Sequence, residues 1–168
     1  IQKGIDINVT IYDNSAYKPL LAYAIDNKLE ALIEVLLARD DLNINQTFDI
    51  TGTYGSTSLL IHAFNNKANE VVKSLLAKDN IDLSAICNGF KNILNIAIEN
   101  KDIDLVKDIL NHKNFKMDLL QNVYLNDVIK DSVEIGILLI HKGVDINVNI
   151  YDNYRSKPLL AYAIDNKL

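Results

Sequence analysis

The sequence carries one cysteine, Cys87, in 168 residues. Without a second cysteine no intrachain disulfide can form, and the natural reading is a reducing compartment, cytoplasmic or nuclear. Two prolines and six glycines are too few to punctuate such a chain, so its turns must lean on Asn, Asp, Ser and Thr. Long apolar runs are missing. The most apolar stretch, ILLI at 137–140, falls far short of the roughly 20 residues that cross a bilayer. No charged-then-apolar leader opens the chain, so membrane insertion is not expected. Positive charge is in the minority, with 17 Lys and Arg against 22 Asp and Glu and a net charge of −5. That leaves no phosphate-neutralising surface and argues against nucleic acid as a partner.

What is present is apolar material, 49% of the residues, enough for a buried core, together with internal repetition. IQKGIDINVTIYDNSAYKPLLAYAIDNKL at 1–29 matches IHKGVDINVNIYDNYRSKPLLAYAIDNKL at 140–168 with six differences, at an offset of 139. A shorter period lies inside that offset: NKLEALIEVLL at 27–37, NKANEVVKSLL at 66–76 and NKDIDLVKDIL at 100–110 share one template. Each puts apolar residues at i, i+1, i+4 and i+5: Leu32, Ile33, Leu36 and Leu37, then Val71, Val72, Leu75 and Leu76, then Leu105, Val106, Ile109 and Leu110. On a helix these form one stripe.

Eight residues beyond the last leucine of each template an apolar, polar, apolar, short-polar signature ends. It reads IDIN at 5–8, LNIN at 42–45, IDLS at 81–84, FKMD at 115–118 and VDIN at 144–147. Alternation of period two predicts a short extended arm, its last residue fixing a turn through a backbone hydrogen bond. The spacings between arms are 37, 39, 34 and 29 residues and total 139, so the duplication is four units long. A shorter helix is expected before each stripe, with Pro19 and Pro158 in its first turn and Ser58 and Asn92 in the equivalent places. The tight loop at Asp26–Asn27 would close it. Neither helix could stand alone, because isolated helices below about 12 residues are marginal in water; stacking on neighbours supplies the missing core.

KPLLAYA at 18–24 and 157–163, GSTSLLIHA at 55–63 and GFKNILNIA at 89–97 resemble the first-helix motif G-x-T-P-L-H-x-A of ankyrin repeats, and the LL endings and DIN arms fit the same pattern. The resemblance spans nearly the whole chain. It implies an all-α solenoid of helix-turn-helix pairs with short β-hairpin or loop fingers, forming a single domain over 1–168. The implied units are a partial repeat at 1–10, repeats at about 11–46, 47–84, 85–118 and 119–147, and a partial repeat at 148–168. Three departures stand out. Leu21, Leu60, Leu94 and Leu160 replace the motif histidine, whose site becomes apolar. TFDITGTYG at 47–55 lengthens one finger. The unit at 119–147 is five residues shorter than its predecessor and puts Glu134 where the stripe expects an apolar residue.

Reactive constellations do not emerge. His62, His112 and His141 fall in different units without ligand-like spacing, and His62 reads as a satisfied structural or solvent-facing histidine. Cys87 has no activating partner nearby and reads as a packed thiol. TGTYG at 51–55 lacks the lysine and hydroxyl of a phosphate loop, and the carboxylates read as solvated charges on helix faces. No catalytic residue, metal or cofactor is therefore assigned, and the chain is read as not an enzyme. What does gather at the expected finger tips is aromatic: Tyr12, Tyr17, Phe48, Tyr54, Phe90, Tyr151 and Tyr154. Tyr and Arg are over-represented among binding hot spots, although Tyr12 and Tyr151 read equally well as packing between fingers. The copies differ at SAY (15–17) against YRS (154–156), which predicts that these tips are exposed.

In ankyrin repeats the finger tips and the inner face of the first helix bind other proteins on a concave surface. Carried onto this sequence, that implies contacts at Asn14, Ser15, Tyr17 and Asp26, then Tyr54, Ser56, Phe64 and Asn65, then Phe90 and Glu99, then Tyr154, Arg155, Ser156 and Asp165. Ile25, Ile98 and Ile164 belong to the same positions but read equally as core. The expectation is a non-catalytic interaction scaffold for a protein partner. The alternative is a substrate-recruiting or regulatory arm of a larger enzyme or effector toxin. The second copy of KPLLAYAIDNKL has no second helix after it and neither end carries a polar cap. That predicts a fragment of a longer array, with end-to-end stacking of uncapped repeat ends as a further contact.

Overall fold

Every helix among the described residues is short. In the computed structural model, which describes residues 4–49, 55–87, 90–121, 123–152 and 155–168, about 48% of those residues are helical. The chain divides into two compact units, Ile1–Ile93 and Leu94–Leu168. The first opens on a hairpin of β1 (Thr10–Asp13) and β2 (Ala16–Pro19), followed by α1 (Leu20–Asp26) and α2 (Glu30–Leu37). A second hairpin, β3 (Thr47–Asp49) with β4 (Ser56–Ser58), leads into α3 (Leu59–Asn65) and α4 (Asn69–Leu76). Among the described residues of the third finger the strands reduce to one bridge, Cys87 with Lys91. The boundary between the units falls after the first residue of α5 (Ile93–Glu99). The second unit continues with α6 (Ile103–Asn111), a 3-10 turn at Met117–Leu120, α7 (Leu125–Asp131) and α8 (Val133–His141). It ends with the hairpin of β5 (Asn149–Asp152) and β6 (Arg155–Pro158) and with α9 (Leu159–Asn166). No helix among the described residues is long and apolar enough to cross a membrane.

The first hairpin turns through Asn14 and Ser15, both at positive φ (47° and 66°), the geometry of a two-residue type I′ loop. Its strands pair antiparallel from Thr10 with Pro19 to Asp13 with Ala16, a register repeated from Asn149 with Pro158 to Asp152 with Arg155. Each hairpin is tied to the helix that follows it by one recurring bond: Leu20 N–H to Val9 C=O, Leu59 N–H to Gln46 C=O, and Leu159 N–H to Val148 C=O. Pro19 and Pro158 sit one residue outside the helix, at the N-cap, rather than in the first turn. Ser58 holds the same place and accepts from Ile61 N–H at 3.3 Å, a bond proline cannot offer.

The Asn-Lys pair common to the templates is a helix terminator. Asn27, Asn66, Asn100 and Asn166 each donate a side-chain N–H to the carbonyl four residues back. The lysine that follows takes a left-handed conformation every time, at φ 53°, 58°, 56° and 55°. Paired bonds then close the end, as in Lys28 N–H to Ile25 C=O and Leu29 N–H to Ala24 C=O, with the same pair at residues 67 and 68, 101 and 102, and 167 and 168. This is a Schellman closure with lysine where glycine is usual.

The stripes face the core. Val71, Val72, Leu75 and Leu76 are buried, as are Leu105, Val106, Ile109 and Leu110, whereas in α2 only Leu36 is fully so. The arms behave differently from expectation. None of the segments at 42–45, 81–84 or 144–147 forms a strand, and FKMD runs into the 3-10 turn. Four of the arms turn on their second residue instead, whose side chain accepts from the fourth residue's N–H: Asp6 from Asn8, Asn43 from Asn45, Asp82 from Ser84, and Asp145 from Asn147. In the first unit the arm asparagines also bridge to the next arm. Asn8 donates to Asp41 C=O and accepts from Asn43 N–H, and Asn45 repeats this with Asn80 and Asp82.

Residues 119–147 correct the expected register. The buried positions of α8 are Ile135, Gly136 and Leu139, one residue later than the spacing from Asn147 predicts. Glu134 lies outside the core and pairs with Lys107 at 3.0 Å. The slip follows from a shorter exit: only two residues, one of them Gly143 at φ 89°, separate α8 from the arm at 144–147, where four separate α2 and α4 from theirs. Ser132 alone separates α7 from α8, where three residues separate the earlier pairs. The two helices therefore approach so closely that a Cβ on Gly136 would lie 2.4 Å from Ile129 Cγ1.

Replacing a left-handed lysine tests the terminator. Lys101→Gly should raise the unfolding free energy by about 0.5–1 kcal/mol in urea denaturation, through relief of backbone strain. No gain would mean that contacts of the lysine stem outweigh the strain.

Candidate functional site

Three ionisable side chains that sequence periodicity treats as unrelated meet where the first two hairpins join their helices. Lys18, on β2, alternates inward because its neighbours Tyr17 and Pro19 face the other way on the pleat. Its Nζ lies 2.6 Å from Asp26 Oδ2 at the end of α1 and 3.5 Å from Asp13 Oδ2 on β1. His62, one turn before the end of α3, puts Nε2 2.8 Å from the other oxygen, Asp26 Oδ1. The edge of Phe48, on β3, meets the imidazole at a centroid separation of 5.1 Å. One carboxylate thus ties β2, α1 and α3 together.

The electrostatics are those of a closed latch. The hydrogen bond from Lys18 to Asp26 raises the lysine pKa above its ordinary value, against the opposing effect of burial and with added help from Asp13. Burial pushes the His62 pKa down, and the Lys18 charge adds to this, while the Asp26 carboxylate and the Ala22 carbonyl pull the other way. His62 is therefore held neutral, its Nε2–H donating to Asp26, which can only accept. Both Asp26 oxygens are engaged and its side chain is 21% exposed. Such an arrangement fixes geometry and leaves no base free to take a substrate proton.

The residues expected to bind a partner fall in several places. In the first unit Asn14 and Ser15 form the exposed loop of the first hairpin, and Tyr17 stands beside it. The Tyr17 ring packs 5.0 Å from that of Tyr12, with the two residues 66% and 64% exposed. Tyr12 thus packs within its own finger. Ser56 begins β4, half-buried, and Phe64 (half-buried) and Asn65 (exposed) end α3. Phe90 is exposed in the bridged turn. In the second unit Glu99 ends α5, Arg155 and Ser156 lie exposed on β6 beyond Tyr151, and Asp165 lies exposed near the end of α9. Tyr54 and Tyr154 lie outside the described residues. Of the residues that read equally as core, Ile25 is buried, Ile98 is half-buried and Ile164 is exposed. Cys87 is buried. Leu21, Leu60 and Leu94, in the motif-histidine position, are buried too, and Leu160 is not.

Lys18 and Asp13 were missed by sequence reasoning, and Asp26 was taken for a surface contact. A signal was available: a lysine and an aspartate eight residues apart recur unchanged as Lys157 and Asp165, again paired, at 2.9 Å. Comparison with protein-family models, curated proteins and solved structures finds no match.

Asp26→Asn should cost about 1–3 kcal/mol of stability, because two half-buried donors lose a charged acceptor. Asp165→Asn, at a side chain 60% exposed, should cost under about 1 kcal/mol. Equal losses in chemical denaturation would mean that the Asp26 latch is no stronger than an ordinary surface pair. The lowered His62 pKa fixes a pH dependence as well. The unfolded chain takes up the proton first, so the stabilisation is present above about pH 6.5 and is lost as pH falls from there through the folded value. Melting temperatures from pH 7.5 to 5.5 should show this slope, and His62→Gln should remove it; an unchanged slope would assign it to other groups.

Proposed function

We propose that this protein is a non-catalytic interaction scaffold of ankyrin-like repeats, and that its finger hairpins and first helices hold a protein partner. The observation that carries this reading is the exposed pair Tyr12 and Tyr17, whose rings meet at a tilt of 53° at the head of the first hairpin. Two tyrosines in mutual contact are partly ordered before binding, so fewer rotamers are frozen on association. Each offers a broad apolar face and a hydroxyl, the combination that dominates interface energetics. The recurring order of hairpin, short helix, left-handed lysine and second helix supports the ankyrin-like assignment. It holds the hairpins on helices whose own positions are fixed by buried leucines.

The latch belongs to the same reading. By tying β2 to both α1 and α3, Asp26 sets the angle of the tyrosine-bearing finger against the helices. A partner would meet a surface already in place.

Affinity capture from cell extract with the wild-type chain and with Tyr12→Ser, Tyr17→Ser and Phe90→Ser together tests the proposal. These side chains are exposed, so circular dichroism should be unchanged. Capture of specific partners should fall about tenfold or more, the effect of losing one or two hot-spot aromatics. Identical capture by both chains would remove the finger surface as the binding site.

A further inference from the structure

The first two hairpins turn one face toward the helices and the other outward. Lys18 and Phe48 mark the inner side, because Lys18 reaches Asp26 and Phe48 lies edge-on to His62, itself bonded to Asp26. Side chains alternate along a strand, so Tyr17 on β2 and Asp49 on β3 stand on the other side, and both are exposed. β2 runs beside β3, and the matching registers put Asp49 at the position of Tyr12 and Ser56 at that of Tyr17. Of the charged side chains on these four strands, Asp13 and Lys18 alternate inward and pair with each other at 3.5 Å. Asp49 makes no ion pair among the described residues. The outward face therefore carries two aromatic rings and one uncompensated carboxylate. Its exposure belongs to the position in the hairpin and not to the place in the chain. Tyr151, at the Tyr12 position of β5 and with α7 against that strand, is 68% exposed where Tyr12 is 64%.

We propose that this face takes an arginine side chain from a segment of the partner; the inference rests on the finger-binding reading above and names its partner chemistry. The negative face of a tyrosine ring attracts a cation within about 6 Å of its centroid. The tilted pair Tyr12 and Tyr17, with centroids 5.0 Å apart, offers two such rings together, and the carboxylate on the neighbouring strand supplies the opposite charge. Arginine meets both requirements with one planar group, since a guanidinium stacks on an aromatic face and can donate two parallel hydrogen bonds to a carboxylate. An acidic segment would bring like charge to Asp49, and a wholly apolar one would cover that carboxylate without a partner. The hairpin of β5 and β6 is the internal contrast. It keeps Tyr151 but sets Ser156 across from it, so at these two positions it presents one ring where the first hairpin presents two.

The test uses the peptide acetyl-Gly-Ser-Arg-Ser-Gly-amide, titrated into the isotope-labelled 168-residue chain and followed by NMR. Amide shifts centred on Tyr12, Tyr17 and Asp49 should saturate. The counterpart peptide with citrulline, which keeps the shape of arginine without its charge, should bind about tenfold more weakly. Tyr17→Ser and Asp49→Asn should each weaken the arginine peptide about two- to fivefold, with circular dichroism unchanged because both side chains are exposed. Equal binding of the citrulline peptide overturns the proposal, as do shifts by the arginine peptide that centre elsewhere, or no saturable shift at all. In any of these cases, capture of a protein partner that still depends on Tyr12 and Tyr17 keeps the scaffold reading and removes only the arginine. Saturable arginine binding on this face, joined to capture indifferent to the tyrosines, keeps the arginine site and removes the scaffold reading.

Discussion

A helix of seven to nine residues fixes many backbone dihedrals for few hydrogen bonds, and every α-helix described in this chain has that length. None can persist unless something outside it covers its apolar stripe. That constraint explains why the leucines come in adjacent pairs: positions i and i+1 on so short a helix face its hairpin mate and the next pair at once. It also explains the attention to helix ends. With four unsatisfied carbonyls at the end of a helix of only two turns, an unclosed terminus would leave about half its carbonyls without partners. The Asn-Lys closure supplies those partners in the same way four times over.

The latch around Asp26 shows how polar groups serve this scheme. Apolar burial holds α1 against α3 but is indifferent to small rotations, because hydrophobic attraction has no direction. A carboxylate reaching a lysine on a strand and a histidine on a neighbouring helix is directional, with both of its oxygens committed. The arm asparagines do similar work in the segments that lead into the hairpins, where Asn8 and Asn45 each join one arm to the next through a donor and an acceptor. An amide that both gives and receives fixes spacing as well as contact. Ser84, which stands in the corresponding place of the third arm, has a hydroxyl too short for the same reach and bonds Asp82 within its own arm.

Periodicity made the helices legible, since the stripes at 71–76 and 105–110 could only be buried on one face. It failed where a shorter helix exit changed the count. Nothing in the spacing of VDIN from the preceding leucines shows that only two residues, one of them the left-handed Gly143, separate α8 from its arm, and the whole stripe of α8 shifts by one residue in consequence. The arms misled for a different reason. Alternating polarity over four residues suits a strand, but an Asp or Asn at the second position captures the fourth N–H and bends the backbone before any ladder can form. The candidate surface was legible as a set of positions and not as a structure. Lys18 and His62 are separated by 44 positions in sequence, and only the fold brings both to Asp26.

The duplicated peptide separates what is local in this architecture from what is not. Its helix, its left-handed exit and its lysine–aspartate pair form in both copies, so these depend on the peptide itself. Burial of Leu21 and Ile25 does not carry over to Leu160 and Ile164, so it depends on the neighbour. The hierarchy has a physical basis: a capped two-turn helix is specified by hydrogen bonds within a dozen residues, whereas solvent leaves an apolar face only when another surface arrives. A repeat built this way keeps its local geometry whatever lies beside it, and the burial of its apolar face is set by the surface packed against it.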